Sequence, residues 1–341
     1  MLVCANPVSY CCLSWRVQAN SRTKHDPENL NLSMLVCREP DRAQAIPVAP
    51  RIAGLGLIGL EMQVILNADD FGRSAAINAA VMQSHREGVL TSASLMVAGD
   101  AVEAAVALAR ETPTLAVGLH VVVVAGRAVL PPNEIPHLVD GRGWFPRDPV
   151  RTGLRYFLMN RAKQELAREL AAQFDRFAAT GLPLSHVDSH LHMHMHPTVF
   201  GLLLPLAEQY GACGLRLPRD DIWLSLRCDR RRAATKAAWA VIFGLLSRWC
   251  HRRLQGHPLT VAQRVYGLMQ SGQMREDYVV TVLRRLNVPS AELYFHPATG
   301  PEDGALGPNP GDLATLLSPT VRQVLQERGL RLATYRTLKQ A

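Results

Sequence analysis

The chain contains no Cys-x-x-Cys pair. Its seven cysteines fall as Cys4, Cys11, Cys12 and Cys37 near the start and Cys213, Cys228 and Cys250 further on, a scatter that suggests neither a structural zinc site nor a redox pair. An odd number of cysteines fits a reducing compartment better than a disulfide scaffold. No Gly-x-Gly-x-x-Gly follows the first predicted strand, which argues against a dinucleotide-binding fold. Zinc-finger spacing, an aromatic RNA-binding signature and a basic-region helix with heptads are all missing. The net charge of +8 is therefore no argument for nucleic acid. The opening Met1-Leu-Val-Cys-Ala-Asn-Pro7 lacks the basic start and unbroken apolar core of a signal peptide. There is no internal repeat.

What remains is an ordinary globular composition, 48% hydrophobic and 19% charged, in a chain of 341 residues. That length accommodates one α/β barrel of about 250 residues. Residues 1–60 mix Pro, Asn, Ser and Arg without a sustained period, and are expected to be a leader of low order lying upstream of a natural start near Met62. A short membrane-touching leader is the alternative. From Met62 onward, strands predicted at Gln63–Ala68, Ser92–Val97, Leu115–Val124, Leu184–His190, Gly214–Leu217, Ala291–Phe295 and Leu332–Tyr335 alternate with helices. The helices are predicted at Ser74–Glu87, Asp100–Arg110, Lys163–Ala179, Thr198–Tyr210 and Asp312–Gly329. Such alternation implies a parallel sheet, either open and doubly wound or closed into a barrel.

The densest chemistry is His186-Val-Asp-Ser-His-Leu-His-Met-His-Met-His196, five histidines and Asp188 in a chain holding twelve histidines. Imidazole and carboxylate together suit first-row divalent ions. If the segment is extended, alternate residues share a face, so His186, Asp188 and His190 line up together, as do His192, His194 and His196. The alternative is that several of them pack or cap the next helix. Asp69 and Asp70, in Asn67-Ala-Asp-Asp-Phe-Gly72, are costly neighbours unless a cation or proton compensates them. One could bind a metal while the other serves as general base, although an N-cap is the plainer reading. Gly118-Leu-His120, Tyr294-Phe-His296-Pro297 and Arg216 in Gly214-Leu-Arg-Leu-Pro218 complete the set. All of these stand where a predicted strand stops, which is where a parallel barrel gathers its site.

On these motifs the sequence resembles the YdjC-like carbohydrate deacetylases, the family of chitooligosaccharide deacetylases, from about Met62 to near the C-terminus. The resemblance implies a distorted, TIM-like (β/α) barrel in a single domain, residues 61–341; independently of it, residues 220–262 read as a basic and apolar helical insert or lid. It implies Asp70, His120 and His190 as ligands of one divalent ion, zinc or magnesium, with Asp69 as general base and His296 as general acid. Arg216, His192, His194 and Asp188 are the expected substrate contacts. The expected reaction is removal of the N-acetyl group from an N-acetylglucosamine-bearing substrate. Where many members continue toward Leu-Thr after Gly-Leu-His, this chain runs Val121-Val-Val-Val-Ala125, a departure that bears on substrate preference. The sequence looks most like the hopanoid-biosynthesis branch, which implies an N-acetylglucosaminyl hopanoid lipid over a free chitooligosaccharide. A phosphoesterase or other amidohydrolase on the same barrel stays open, as does a sugar-lipid or metal-binding protein without turnover.

Residues 222–254 carry Arg230-Arg-Arg232, an apolar stretch with Trp239 and Trp249, and His251-Arg-Arg253. The apolar middle is shorter than the 20 or so residues needed to span a bilayer. Basic flanks and two Trp fit a helix lying on an anionic surface, or a lid; an ordinary buried helix is the alternative. The expected partners are thus an N-acetylated sugar or glycolipid, a membrane touched peripherally through 222–254, and a second copy in a homodimer, without nucleic acid. The expected location is the cytoplasm, peripheral to the inner face of the membrane.

Overall fold

A computed structural model describes residues 61–300, 302 and 307–339, all within a unit formed by residues 57–341. The expectations for residues 1–60 lie outside the described residues.

Eight parallel strands make one sheet: β1 (Gln63–Phe71), β2 (Ser92–Leu95), β3 (Ala116–Val121), β4 (His186–Ser189), β5 (Gly214–Leu215), β6 (Arg264–Tyr266), β7 (Ser290–Phe295) and β8 (Arg331–Leu332). Their order is β5-β4-β3-β2-β1-β7-β6, with β8 pairing β1 at its start. The sheet closes irregularly. Between β5 and β6 there is no ladder; instead Leu215 donates its N–H to the Thr260 carbonyl (2.9 Å) and Thr260 donates to the Cys213 carbonyl (2.9 Å). This is the distorted barrel that the family resemblance implies, where periodicity alone left an open sheet equally available.

The helices are α1 (Ala75–Arg86), α2 (Val102–Glu111), α3 (Pro149–Leu158), α4 (Asn160–Ala179), α5 (Pro197–Gln209), α6 (Ile222–Cys228), α7 (Ala233–Arg253), α8 (Glu276–Arg285), α9 (Pro310–Leu317) and α10 (Pro319–Glu327). Local chemistry sets their ends. Ser74 caps α1 by accepting the Ile77 N–H at 3.2 Å. The predicted single helix over 312–329 is two helices. Pro319 has no N–H to donate and disfavours helical backbone at Ser318, whose hydroxyl instead caps α10 through the Val321 N–H. The sequence reading assigned neither β6 nor α3, α8 and the α6–α7 pair as separate elements.

Side-chain alternation divides the core in two. Val64, Leu66 and Ala68 of β1 join the large apolar layer beneath the helices, while Ile65 packs with Val265, Tyr294 and Tyr335 in a second cluster. Above Ile65 the same side of the strands is polar: Asn67, Asp69, Ser94, His120, His186, Asp188, Arg216 and Glu292 are all buried and joined by hydrogen bonds or ion pairs. Crowding there explains Gly118, because a β-carbon at that position would come within 2.5 Å of the His186 ring. No helix among the described residues is long and apolar enough to cross a membrane.

Candidate metal centre

In a regular strand, neighbouring residues point to opposite faces, so Asp69 and Asp70 should diverge. They do not. Asp70 takes a left-handed backbone (φ 63°), the register with β2 shifts between Ala68 and Phe71, and Gly72 (φ 89°) completes the turn. Asp70 Oδ1 thereby comes to 3.4 Å from His120 Nε2 and 3.2 Å from His190 Nδ1. The three residues each offer one ligand atom, all within 4.8 Å of one another.

The donor set fits a divalent cation. Asp70 Oδ1 is buried and accepts no hydrogen bond, while Oδ2 accepts from Arg73 Nη1 at 3.0 Å. His120 Nδ1–H donates to Asp188 Oδ1 at 2.7 Å, which fixes the tautomer and turns Nε2 toward Asp70, the usual arrangement behind a metal-binding histidine. Burial opposes charge on these groups, but Asp188 and the other nearby carboxylates push His120 up to about 10. Against the same burial, His190 and His120 hold Asp70 well below the ordinary carboxylate range. Asp69, Asp188 and Glu292 all meet Arg216, the one fully buried guanidinium among the described residues, and Asp70 lies beside them against His120. Such an acidic excess suits an added cation. His190, with its side chain 15% exposed, is the most accessible member of the triad.

Asp69 lies beside the triad under tight restraint. Arg216 Nη1 and Nη2 donate to its two oxygens at 2.7 and 2.8 Å, and Asn67 Nδ2 donates to Oδ1 at 2.9 Å. Across from it, His296 Nε2 is 3.9 Å from Asp69 Oδ2. The His296 backbone N–H donates to Asp312 Oδ2 at 2.9 Å, and its Nδ1 has no partner.

Four expected substrate contacts are placed differently from one another. Arg216, Asp188 and His194 are fully buried, so direct contact with substrate gives way to an internal role. Arg216 binds Glu292 and Asp188 as well as Asp69, and lies 4.6 Å above the Tyr294 ring. His194 is held between Ser189 Oγ (2.7 Å) and the Arg216 carbonyl (2.8 Å), and burial pushes it down to about 4. His192 is partly exposed and bonds the Tyr294 hydroxyl at 2.9 Å. The expected alternation of faces ends at Ser189. From His190 to Met195 the chain winds into a tight turn with Leu191 and His192 left-handed, because Ser189 Oγ captures the His194 N–H at 2.7 Å. His196 accordingly points to α3, meeting the Phe157 ring.

The sequence reading missed Glu292, Ser94, Asn67, Tyr294, Asp312 and Tyr335. Only Glu292 carried a signal, a single acid inside the apolar run Ala291-Glu-Leu-Tyr-Phe295 that requires a buried partner. It has two, Arg216 and the Tyr335 hydroxyl, which donates at 2.6 Å. Beside Arg73 opens a cavity of about 270 Å³ lined by Met96, Asp100, Val122, Arg127 and Trp144.

Fold and site define a class: a parallel, distorted β/α barrel with an Asp-His-His cluster and a restrained second carboxylate at its strand ends. Within that class the chain belongs to the YdjC-like protein family, whose model matches residues 63–327. It is 33% identical over 282 residues to a carbohydrate deacetylase of Brevibacillus brevis, covering 81% of this chain and 100% of that one. A chitooligosaccharide deacetylase of Yersinia pestis is 30% identical over 286 residues, covering 81% and 99%. Among solved structures, an Enterococcus faecalis protein provisionally named for cellobiose-phosphate cleavage superposes with a TM-score of 0.61 at 22% identity, covering 82% of this chain and 100% of its own, which concerns the fold alone.

Proposed function

We propose that this chain is a metal-dependent carbohydrate deacetylase acting on an N-acetylglucosamine-bearing substrate. The observation that carries the reading is the meeting of Asp70, His120 and His190 ligand atoms beside the pinned carboxylate of Asp69. The names of the relatives agree with it.

Asp70, His120 and His190 would hold one divalent ion, of the zinc or magnesium kind. Such an ion supplies Lewis acidity toward the acetamide carbonyl and the attacking water. Asp69 takes the proton from that water, its carboxylate plane set by the two-pronged bond from Arg216. His296, on the other side of Asp69 and anchored through its backbone to Asp312, gives a proton to the departing amine. Water thus divides between acetate and the freed amine. Asp188 orients His120, and His194 supports the backbone of Arg216. The cavity between Arg73 and Trp144 offers the sugar a rim with an exposed indole. For the finer choice of substrate, the apolar helices around the His190 turn favour a lipid-borne sugar, an N-acetylglucosaminyl hopanoid, over a free oligosaccharide.

The test incubates metal-loaded protein with N-acetylated chitobiose and with an N-acetylglucosaminyl hopanoid, with and without chelator, and reads products by mass spectrometry. Chelator-sensitive loss of one acetyl group is expected, faster on the lipid. An intact acetyl group on both substrates would overturn the deacetylase reading and favour a phosphoesterase or a binding protein.

A further inference from the structure

Helix α7 is apolar on more than its core side: Phe243, Leu246 and Trp249, partly buried, already pack against the core. Its buried side chains are Lys236, Ser247 and Cys250. Val241, Ile242 and Leu245 instead stand in solvent at 62, 52 and 65% exposure, and Trp223 of α6 at 76%. Helix α3 likewise exposes Leu154, Phe157 and Leu158 at 57, 55 and 64%. Twelve large apolar side chains are exposed among the described residues, and ten belong to α3 and its C-cap, the 190–196 turn, or α6 and α7. Such concentration is a feature of interaction surfaces, since single exposed apolar residues scatter.

These helices flank the same turn. The Phe243 ring of α7 meets His192 at 5.7 Å, and Cys250 Sγ lies 3.9 Å from the Met195 carbonyl. From α3, Phe157 and Gly153 abut His196. Leu191, half exposed, stands out of the turn itself, one residue after His190.

Charge identifies the occupant. From Ile222 to Arg253 there are eight Lys and Arg and one acid, Asp229, which is already paired to Lys236 at 3.1 Å. The other seven, Arg227, Arg230–Arg232, Arg248, Arg252 and Arg253, are exposed. A second copy of this chain would bring the same positive charge against it. We propose that α3 and the α6–α7 pair form a docking surface for an anionic lipid bilayer, with the apolar side chains entering the acyl boundary and the arginines meeting the headgroups. Docking there brings the turn that follows His190 to the membrane surface. The proposal is independent of the reaction at the site, because binding is read without substrate.

The test is flotation of the full chain with phosphatidylglycerol–phosphatidylcholine vesicles and with phosphatidylcholine vesicles alone. Binding to the anionic vesicles, weakened by salt, is expected. Replacing Arg230, Arg231 and Arg232 by Ser lowers partitioning at low salt by about fivefold per arginine, roughly a hundredfold together. Ile242→Glu combined with Leu245→Glu abolishes it, and an unchanged melting temperature shows that the variant is folded. Absence of binding to anionic vesicles, or undiminished binding by the Ile242→Glu/Leu245→Glu protein, would overturn the proposal. So would a concentration-dependent dimer that this variant abolishes, seen by light scattering without any vesicle binding; the face would then belong to a second copy.

Discussion

Replacing His194 by Gln should remove a defined part of the protein's sensitivity to mild acid. His194 is fully buried, with Nε2 donating to the Arg216 carbonyl and Nδ1 against Ser189 Oγ, so the neutral imidazole uses both nitrogens. Burial, ahead of the surrounding charges, pushes it down to about 4. In the unfolded chain it returns to about 6.5. Above that value both states are neutral and the full stability is present. As the pH falls from 6.5 toward 4, only the unfolded chain takes up the proton, and stability falls by about 1.4 kcal/mol per pH unit. Between pH 7.5 and 5 the loss amounts to about 2 kcal/mol. His186, likewise pushed by burial down to about 4, is present in both proteins and cancels in the comparison. At pH 7.5 the variant should be less stable by about 1–3 kcal/mol for the lost hydrogen bonds. At pH 5 that gap should shrink by about 2 kcal/mol, which at about 2–3 kcal/mol/M moves the urea midpoints together by roughly 0.7–1 M. Urea titrations of chelator-treated protein, followed by tryptophan fluorescence at both pH values, measure it. An equal gap at pH 7.5 and pH 5 would refute the reasoning.

Arg216→Met leaves three buried carboxylates facing an apolar side chain, and should cost about 3–5 kcal/mol, seen as a melting temperature lower by roughly 8–15 °C; a drop below about 2 °C would mean the charges are compensated elsewhere. Asp69→Asn should keep the affinity for the ion, measured by calorimetry, while turnover falls by about 10²–10⁴. Near-normal rates in that variant would remove Asp69 as the base. His120, held up to about 10 by its carboxylates against burial, must lose a proton before Nε2 can coordinate. From pH 6 to 9, metal binding should therefore release about one proton and tighten roughly tenfold per pH unit. Calorimetry in buffers of different ionisation enthalpy counts that proton, and a count near zero would contradict the charged His120.

The parts of the site that follow from one strand and its end were legible in the sequence. Asp70, His120 and His190 stood out because polar residues closing apolar runs converge on one rim of a parallel barrel. What escaped depended on contacts between strands. Arg216 reads in sequence as a cation free to meet substrate, and only the meeting of β1, β4, β5 and β7 shows it enclosed by three carboxylates. Ser94 and Asn67 are unremarkable in strand sequences, yet they relay hydrogen bonds from Asp69 to Asp188. The histidine run misled for a local reason: alternation presumes extended backbone, and the Ser189 hydroxyl ends it by closing a turn. Ser318-Pro319 marks the break before α10 in the sequence itself, against an apolar periodicity that runs on through both helices.

The left-handed backbone at Asp70 has a consequence for how the gene can vary. Because that one residue turns a second carboxylate into the barrel, spacing from Ala68 to Gly72 matters as much as residue identity. Deleting or inserting a single codon there would swing the acidic pair out of line even with both aspartates retained. Between Asp221 and Leu259, by contrast, no strand pairs among the described residues, so no ladder fixes the spacing there. Length changes among descendants of this gene should accumulate in the second region and be purged from the first.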